Sequence, residues 1–196
     1  MSIKTALFAS GSGSNAENII RYFSDNHSIE FPAILSNNVN AFVHERAKNL
    51  QVPSYTFSKE DFAAGDKIVS FLRELDVDLI VLAGFMLKIP QNLIDAFPDR
   101  IINIHPALLP KFGGKGMYGD HVHKAVVAAG EKESGITIHY VNENYDEGNI
   151  IFQAKCEVIS TDTPDDVAHK VHALEYEYYP KVIESLIVEL STGKLL

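Results

Sequence analysis

Cysteine is nearly absent from this chain. Cys156 is the only one, so no intrachain disulfide can form. It lies in the apolar-alternating run 150–158, which makes it a packed strand residue; a catalytic thiolate needs a cationic, exposed turn. Cationic charge is also scarce: 17 Lys and Arg stand against 26 Asp and Glu, a formal net charge of −9. Binding to a phosphate backbone rewards clustered Lys and Arg, and no such cluster is visible, so nucleic acid is not an expected partner. No segment approaches the ~20 apolar residues of a membrane helix. At the start, no basic region precedes an apolar stretch. The expectation is a cytoplasmic protein in a reducing setting, with no membrane partner. Repeats, low-complexity tracts and linkers are lacking too, so the expected organisation is one domain over residues 1–196.

What is present alternates. Strand-like runs at 4–10, 31–36, 53–57, 78–83, 100–104, 134–142 and 150–159 are interleaved with helix-like stretches at 15–25, 41–49, 59–75, 91–97, 120–129 and 164–190. The run 78–83 is almost continuously apolar, as in a central strand covered on both faces. Thr163, Pro164, Asp165 and Asp166 suit a helix start, and Pro180 predicts a break or bend in the long last helix. Alternation over the first hundred residues predicts an α/β fold with a doubly wound, mostly parallel sheet. The turn-rich segment 143–149 predicts a hairpin, hence an antiparallel edge near the C-terminal part.

Ser10-Gly11-Ser12-Gly13-Ser14-Asn15 follows the first strand and opens a helix. Successive amides at a helix N-terminus favour an anion, so this loop is a candidate phosphate site, although a plain strand-to-helix turn reads the same way. Neither nucleotide fingerprint is complete. The position after Asn15 is Ala16 rather than a correctly spaced glycine, the second strand ends Ser36-Asn37-Asn38 without an acidic ribose ligand, and the Walker ending is missing.

The most informative stretch is Ile101-Ile102-Asn103-Ile104-His105-Pro106. On an extended chain Asn103 and His105 face the same side, at the carboxyl end of a strand, where open α/β sheets bind ligands. An amide donor and an imidazole aimed at one atom suit acyl transfer, because charge grows on the carbonyl oxygen as an amine attacks. One well-placed donor is worth roughly 3–4 kcal/mol there. Asp146, in the loop ending at Gly148, can orient and charge His105 or take part in proton transfer. The alternatives are a His and Asn that fix a loop and an Asp that makes a turn. Eight histidines raise the idea of a metal, but no close His/Glu ligand spacing occurs, so none is expected.

At these residues the chain resembles the formyltetrahydrofolate-dependent formyltransferases, most closely those acting on 5-phosphoribosylglycinamide in purine synthesis. The resemblance covers nearly the whole chain. It rests on Ser10–Asn15, Val81-Leu82-Ala83-Gly84-Phe85-Met86, Asn103–Lys111, and Gly135–Val141 continuing to Asp146-Glu147-Gly148. It implies a Rossmann-like fold and transfer of a formyl group from 10-formyltetrahydrofolate, as co-substrate, to a phosphorylated amine through a tetrahedral oxyanion. Asn103 and His105 would polarise the formyl oxygen, and Asp146 would assist His105. Gly13, Ser14 and Asn15 would hold the phosphate, and Glu175 the amine or ribose end. Gly84 and Pro106, with Met86, would line the channel between the two ligands. Met86, Leu87, Lys88, Ile89, Asn103, Val141 and Asp146 would contact the folate. The assembly implied is a monomer or homodimer.

This chain departs from the family at Leu87, where relatives often carry arginine, and near 63–67, where an arginine for the folate tail has no counterpart. Lys67 or Lys88 would stand in. The glycine-rich loop 112–119 is longer than in some members and reads equally as a cover or a surface loop. His121 aligns with a family histidine, while His123, His139 and His172 are read as structural. A tRNA-directed relative would need a further nucleic-acid-binding domain, and a hydrolase relative a regulatory one ahead of strand one. A nicotinamide-dependent oxidoreductase would need the missing fingerprint. A phosphate-binding module without catalysis would leave Asn103, His105 and Asp146 without a task.

Overall fold

The computed structural model describes residues 2–193. In chain order the elements are β1 (Ile3–Phe8), α1 (Ser14–Tyr22), β2 (Ile29–Glu30), β3 (Ile34–Ser36), α2 (Val43–Asn49), β4 (Ser54–Thr56), α3 (Lys59–Ala64), α4 (Asp66–Glu74) and β5 (Leu79–Leu82). They continue as α5 (Gln91–Ala96), β6 (Ile101–His105), α6 (Asp120–Ala128), β7 (Glu133–Tyr140), β8 (Ile150–Glu157) and α7 (Pro164–Ser191). The fold is α/β with a mostly parallel sheet and an antiparallel β7–β8 pair. Two compact units form: residues up to Ile102 together with those from Pro180 onward, and Asn103–Tyr179.

In the first unit the strand order is β4-β3-β1-β5, all parallel, with β2 also paired to β1 and β6 entering beyond β5. The chain leaves β1 in one direction to reach β3 and β4, then returns to β5 on β1's other side. This reversal is the doubly wound pattern, and it opens a crevice at the carboxyl end of β1. Leu79–Leu82 are all buried, as their apolar run requires. Phe8, Phe62 and Phe85 pack edge-to-face or tilted, with centroids 4.8–5.7 Å apart, and anchor α3 to the strands.

The second unit begins with the last three residues of β6. There β7 and β8 form the expected hairpin, with Ile136 opposite Ala154 and Thr137 opposite Gln153. Gln153, Lys155 and Glu157 on β8 are exposed, alternating with half-buried neighbours.

Three elements differ from the sequence reading. The strand expected over 31–36 is confined to β3 (Ile34–Ser36), with a separate short β2 (Ile29–Glu30) ahead of it; Pro32 between them has no N–H for a ladder and a fixed φ. The helix expected over 59–75 divides at Gly65, whose φ of 78° leaves the helical region while its amide closes α3 on the Asp61 carbonyl at 2.8 Å. The break expected at Pro180 does not occur, and α7 runs through it for 28 residues. Its start is as expected: Thr163 N–H donates to Asp166 Oδ2 (2.9 Å) and Asp166 N–H to Thr163 Oγ1 (3.2 Å).

Candidate active site

The second unit brings Asn103, His105 and Asp146 together. β6 is extended, so Asn103 and His105 share a face. His105 is 3% exposed. Its Nε2 lies 2.7 Å from the Phe112 carbonyl oxygen, and its Nδ1 lies 3.5 Å from Asp146 Oδ2. The short contact identifies Nε2 as the protonated nitrogen of the neutral ring, donating to Phe112. Nδ1 then turns a lone pair toward a carboxylate, and the other neutral tautomer would instead turn one toward the Phe112 carbonyl. Only the imidazolium satisfies both neighbours. Burial nevertheless dominates and holds His105 below its ordinary value, with Asp146 and the Phe112 carbonyl opposing it in part. The ring therefore rests neutral, beside groups ready to stabilise one added proton.

Asp146 is fixed from three sides. Oδ2 accepts the Gly114 N–H at 2.9 Å, and Oδ1 is 3.6 Å from His139 Nε2. Burial by itself would raise this carboxyl, but His139, His105 and the Gly114 amide together keep it below the usual range, so it stays charged at neutral pH. Asp146 has φ 56° and Phe112 φ 55°, left-handed values uncommon for any residue but glycine. Gly148 ends the loop in close contact: a Cβ there would fall 1.7 Å from the Tyr140 carbonyl oxygen, so no larger residue fits.

His139, read from sequence as structural, belongs to this cluster. Its Nδ1 lies 2.8 Å from the Tyr140 carbonyl, and its Nε2 lies 3.2 Å from Asn103 Nδ2. It thereby orients the Asn103 amide while facing Asp146. The signal available in sequence is Thr137-x-His139, polar residues two apart in an apolar strand. Thr137 shares the face and ties down the loop after His105: its hydroxyl donates to Ala107 O (2.7 Å) and accepts from Leu109 N–H (3.0 Å). Pro106 and Val141 are half-buried beside these groups in sequence. Glu175 is buried on α7, where His172 Nδ1 approaches its Oε2 at 2.8 Å. The start of loop 112–119 is part of the site through Phe112 and Gly114, whereas His121 is exposed against Tyr118.

The remaining candidates lie in the first unit, at the carboxyl end of β1. Gly13 caps α1 with φ 71°, followed by Ser14 and Asn15 in its first turn. Ser10 organises the crevice: its N–H donates to Gly84 O (3.0 Å), while its Oγ meets Asn37 Oδ1 (2.6 Å) and accepts from Met86 N–H (2.9 Å). Met86 is 55% exposed and Ile89 buried, with Leu87 half-buried and Lys88 exposed between them. Among the described residues, no group of His, Cys, Asp and Glu is arranged to hold a metal ion, and no helix is long and apolar enough to cross a membrane.

Comparison with known proteins decides the family. Residues 3–183 match the family described as formyl transferase. The chain belongs to that family. A phosphoribosylglycinamide formyltransferase of Bacillus subtilis is 40% identical over 189 residues, covering 94% of each chain. A chloroplastic phosphoribosylglycinamide formyltransferase of Arabidopsis thaliana is 42% identical over 193 residues. The chain spans 66% of that plant protein and 61% of a second one, from Vigna unguiculata. The crystal structure of phosphoribosylglycinamide formyltransferase from Anaplasma phagocytophilum superimposes with a TM-score of 0.88 at 33% identity, covering 96% of this chain and 89% of that one.

The buried histidines set the response of stability to acid. His105 and His123 both lie below their ordinary values, burial being the first cause in each. The unfolded chain therefore takes up more protons as pH falls past about 6.5, so their contribution is present above that pH and is lost as pH falls through the folded values. Asp146 acts with the same sign at lower pH. His172, raised by Glu175, opposes them: its contribution is present below its unfolded value and lost as pH rises through the folded one. Above about pH 5 the comparison is among the histidines alone, and the two depressed ones outnumber it. Urea midpoints should therefore fall between about pH 7.5 and about pH 5, and a midpoint that rises on acidification contradicts this assignment.

Proposed function

We propose that the chain is a phosphoribosylglycinamide formyltransferase, carrying a formyl group from 10-formyltetrahydrofolate to the amine of 5-phosphoribosylglycinamide in purine biosynthesis. The observation that carries the chemistry is the set Asn103, His105, His139 and Asp146, both histidines buried and the other two half-buried, held within 2.7–3.6 Å of one another or of backbone groups. The folate co-substrate supplies the formyl group and nothing else is asked of it. As the amine nitrogen bonds to the formyl carbon, charge collects on the formyl oxygen. The Asn103 amide, oriented by His139, and His105, whose Nε2–H must leave the Phe112 carbonyl to reach it, are the donors assigned to that oxygen. The attacking nitrogen must lose a proton, and neutral His105 takes it directly or through water. Asp146 stays charged and stabilises the resulting imidazolium. When the bond to the departing folate nitrogen breaks, that proton is returned to it, so charge and protons balance.

Within this reading the first unit supplies Gly13, Ser14 and Asn15 for the phosphate, and Gly84 with Met86–Ile89 toward the substrate channel and the pterin. The exposed Met86 and half-buried Leu87 offer the apolar surface an aromatic ring needs. The second unit supplies Pro106, Val141 and Glu175, the last for the amine or ribose end. The reading takes residues 1–196 as one catalytic domain, cytoplasmic, as a monomer or homodimer.

The deciding measurement is spectrophotometric, following tetrahydrofolate release from 10-formyltetrahydrofolate with and without the phosphorylated amine. Release is expected only with the amine present. Equal release in its absence identifies a hydrolase and ends the transferase reading.

A further inference from the structure

Arg46, on α2, is placed where it can govern the glycine loop. Three consecutive carbonyls of that loop are tied to protein donors. Gly11 O accepts from Val43 N–H (3.1 Å), Ser12 O from Arg46 Nε–H (2.8 Å), and Gly13 O from Glu17 N–H (2.9 Å). These peptides are trans, and in a trans peptide the N–H points opposite to the C=O. Each tie therefore turns the following amide away from α1 and α2, so the N–H groups of Ser12, Gly13 and Ser14 aim outward together. A cluster of this kind binds an anion. Of the three ties, the one on the Ser12 carbonyl is the only one made by a side chain.

The same guanidinium serves a second purpose. Glu17 lies in the first turn of α1, where its carboxylate would repel a bound anion. Arg46 Nη1 pairs with Glu17 Oε2, and Arg21 pairs with Oε1 at 2.7–2.8 Å, which pulls Glu17 below the usual carboxylate range without releasing its charge. The Arg46 guanidinium carbon also sits 5.0 Å above the Phe42 ring, which restricts its orientation. Gly13 packs against the same helix so closely that a Cβ would come within 2.3 Å of Val43.

We propose that Arg46 is a positioning residue for recognition of the substrate phosphate: it aligns the Gly13 amide through the Ser12 carbonyl and cancels the Glu17 charge, without touching the phosphate. This rests on the reading of residues 13–15 as the phosphate site. The test combines titration of the intact protein with inorganic phosphate and steady-state kinetics, on Arg46→Met, Arg46→Lys, Arg21→Met and Ser14→Asp. Arg46→Met should weaken phosphate binding and raise KM for the phosphorylated amine about tenfold, with kcat and the folate KM within roughly twofold, since the lost interaction is uniform between ground and transition states. Arg46→Lys keeps the charge but lacks the fixed fork that serves both partners, so it should move the same way. Arg21→Met removes one of the two cations on Glu17 but no tie to a loop carbonyl, so it should weaken phosphate binding clearly less than Arg46→Met. Ser14→Asp puts a carboxylate where the anion would sit and should abolish binding. If Ser14→Asp loses phosphate while both Arg46 variants retain it, the bracing role is wrong. If Arg21→Met and Arg46→Met weaken binding equally, charge cancellation alone is at work and the carbonyl tie is not. If Ser14→Asp binds phosphate like the parent protein, the phosphate site itself is misplaced.

Discussion

His105→Ala is expected to lower kcat by about 10²–10⁴-fold, the range typical of losing a positioned proton-transfer group. The ring carries both assigned tasks, an Nε2–H donor and a proton-accepting Nδ1, and no other group near it duplicates the pair. Asp146 retains its Gly114 amide and His139 without the imidazole, so the loop does not depend on His105 for its place. KM values should therefore move less than kcat. Steady-state tetrahydrofolate release checks this, and turnover by His105→Ala within a few-fold of the parent would remove the residue from the mechanism.

Asp146→Asn should cost a similar factor for a different reason. The amide replaces a charge that opposes the effect of burial on His105. Its loss lowers the proton affinity of the imidazole further and withdraws support from the imidazolium formed during attack. Besides a kcat about 10²–10⁴-fold lower, the acid limb of the kcat profile should move to lower pH, because the ring stays neutral further into acid. A limb that stays in place while kcat falls assigns Asp146 a role independent of His105. Since the two groups act as a unit, the double variant should lose little more than the worse single one; independent, multiplying losses contradict the coupling.

Much of this was legible in the residues themselves. Strands buried on both faces announce themselves by composition, as at Leu79–Leu82, and the hairpin follows from the turn residues at 143–149. The pairing of Asn103 with His105 follows from the two-residue period of an extended chain. What local pattern could not reach is set at a distance. The tie between His105 and Phe112 depends on the path of a loop whose glycines permit many conformations. The inclusion of His139 depends on strand register: Thr137 faces the segment after β6, and His139 shares that face. Pro180 does not break α7, because proline removes one donor and crowds one carbonyl, and the surrounding turns of a 28-residue helix can carry that loss.

The left-handed backbone at residues 112 and 146 sets stability and activity against each other. Each such conformation costs on the order of 1 kcal/mol or more in a residue with a side chain. Glycine at position 146 would relax the chain while deleting the carboxylate. A search for hardier variants that scores heat resistance alone would therefore be rewarded for dismantling the cluster. Aspartate at 146 marks a place where the chain retains a residue its own backbone disfavours.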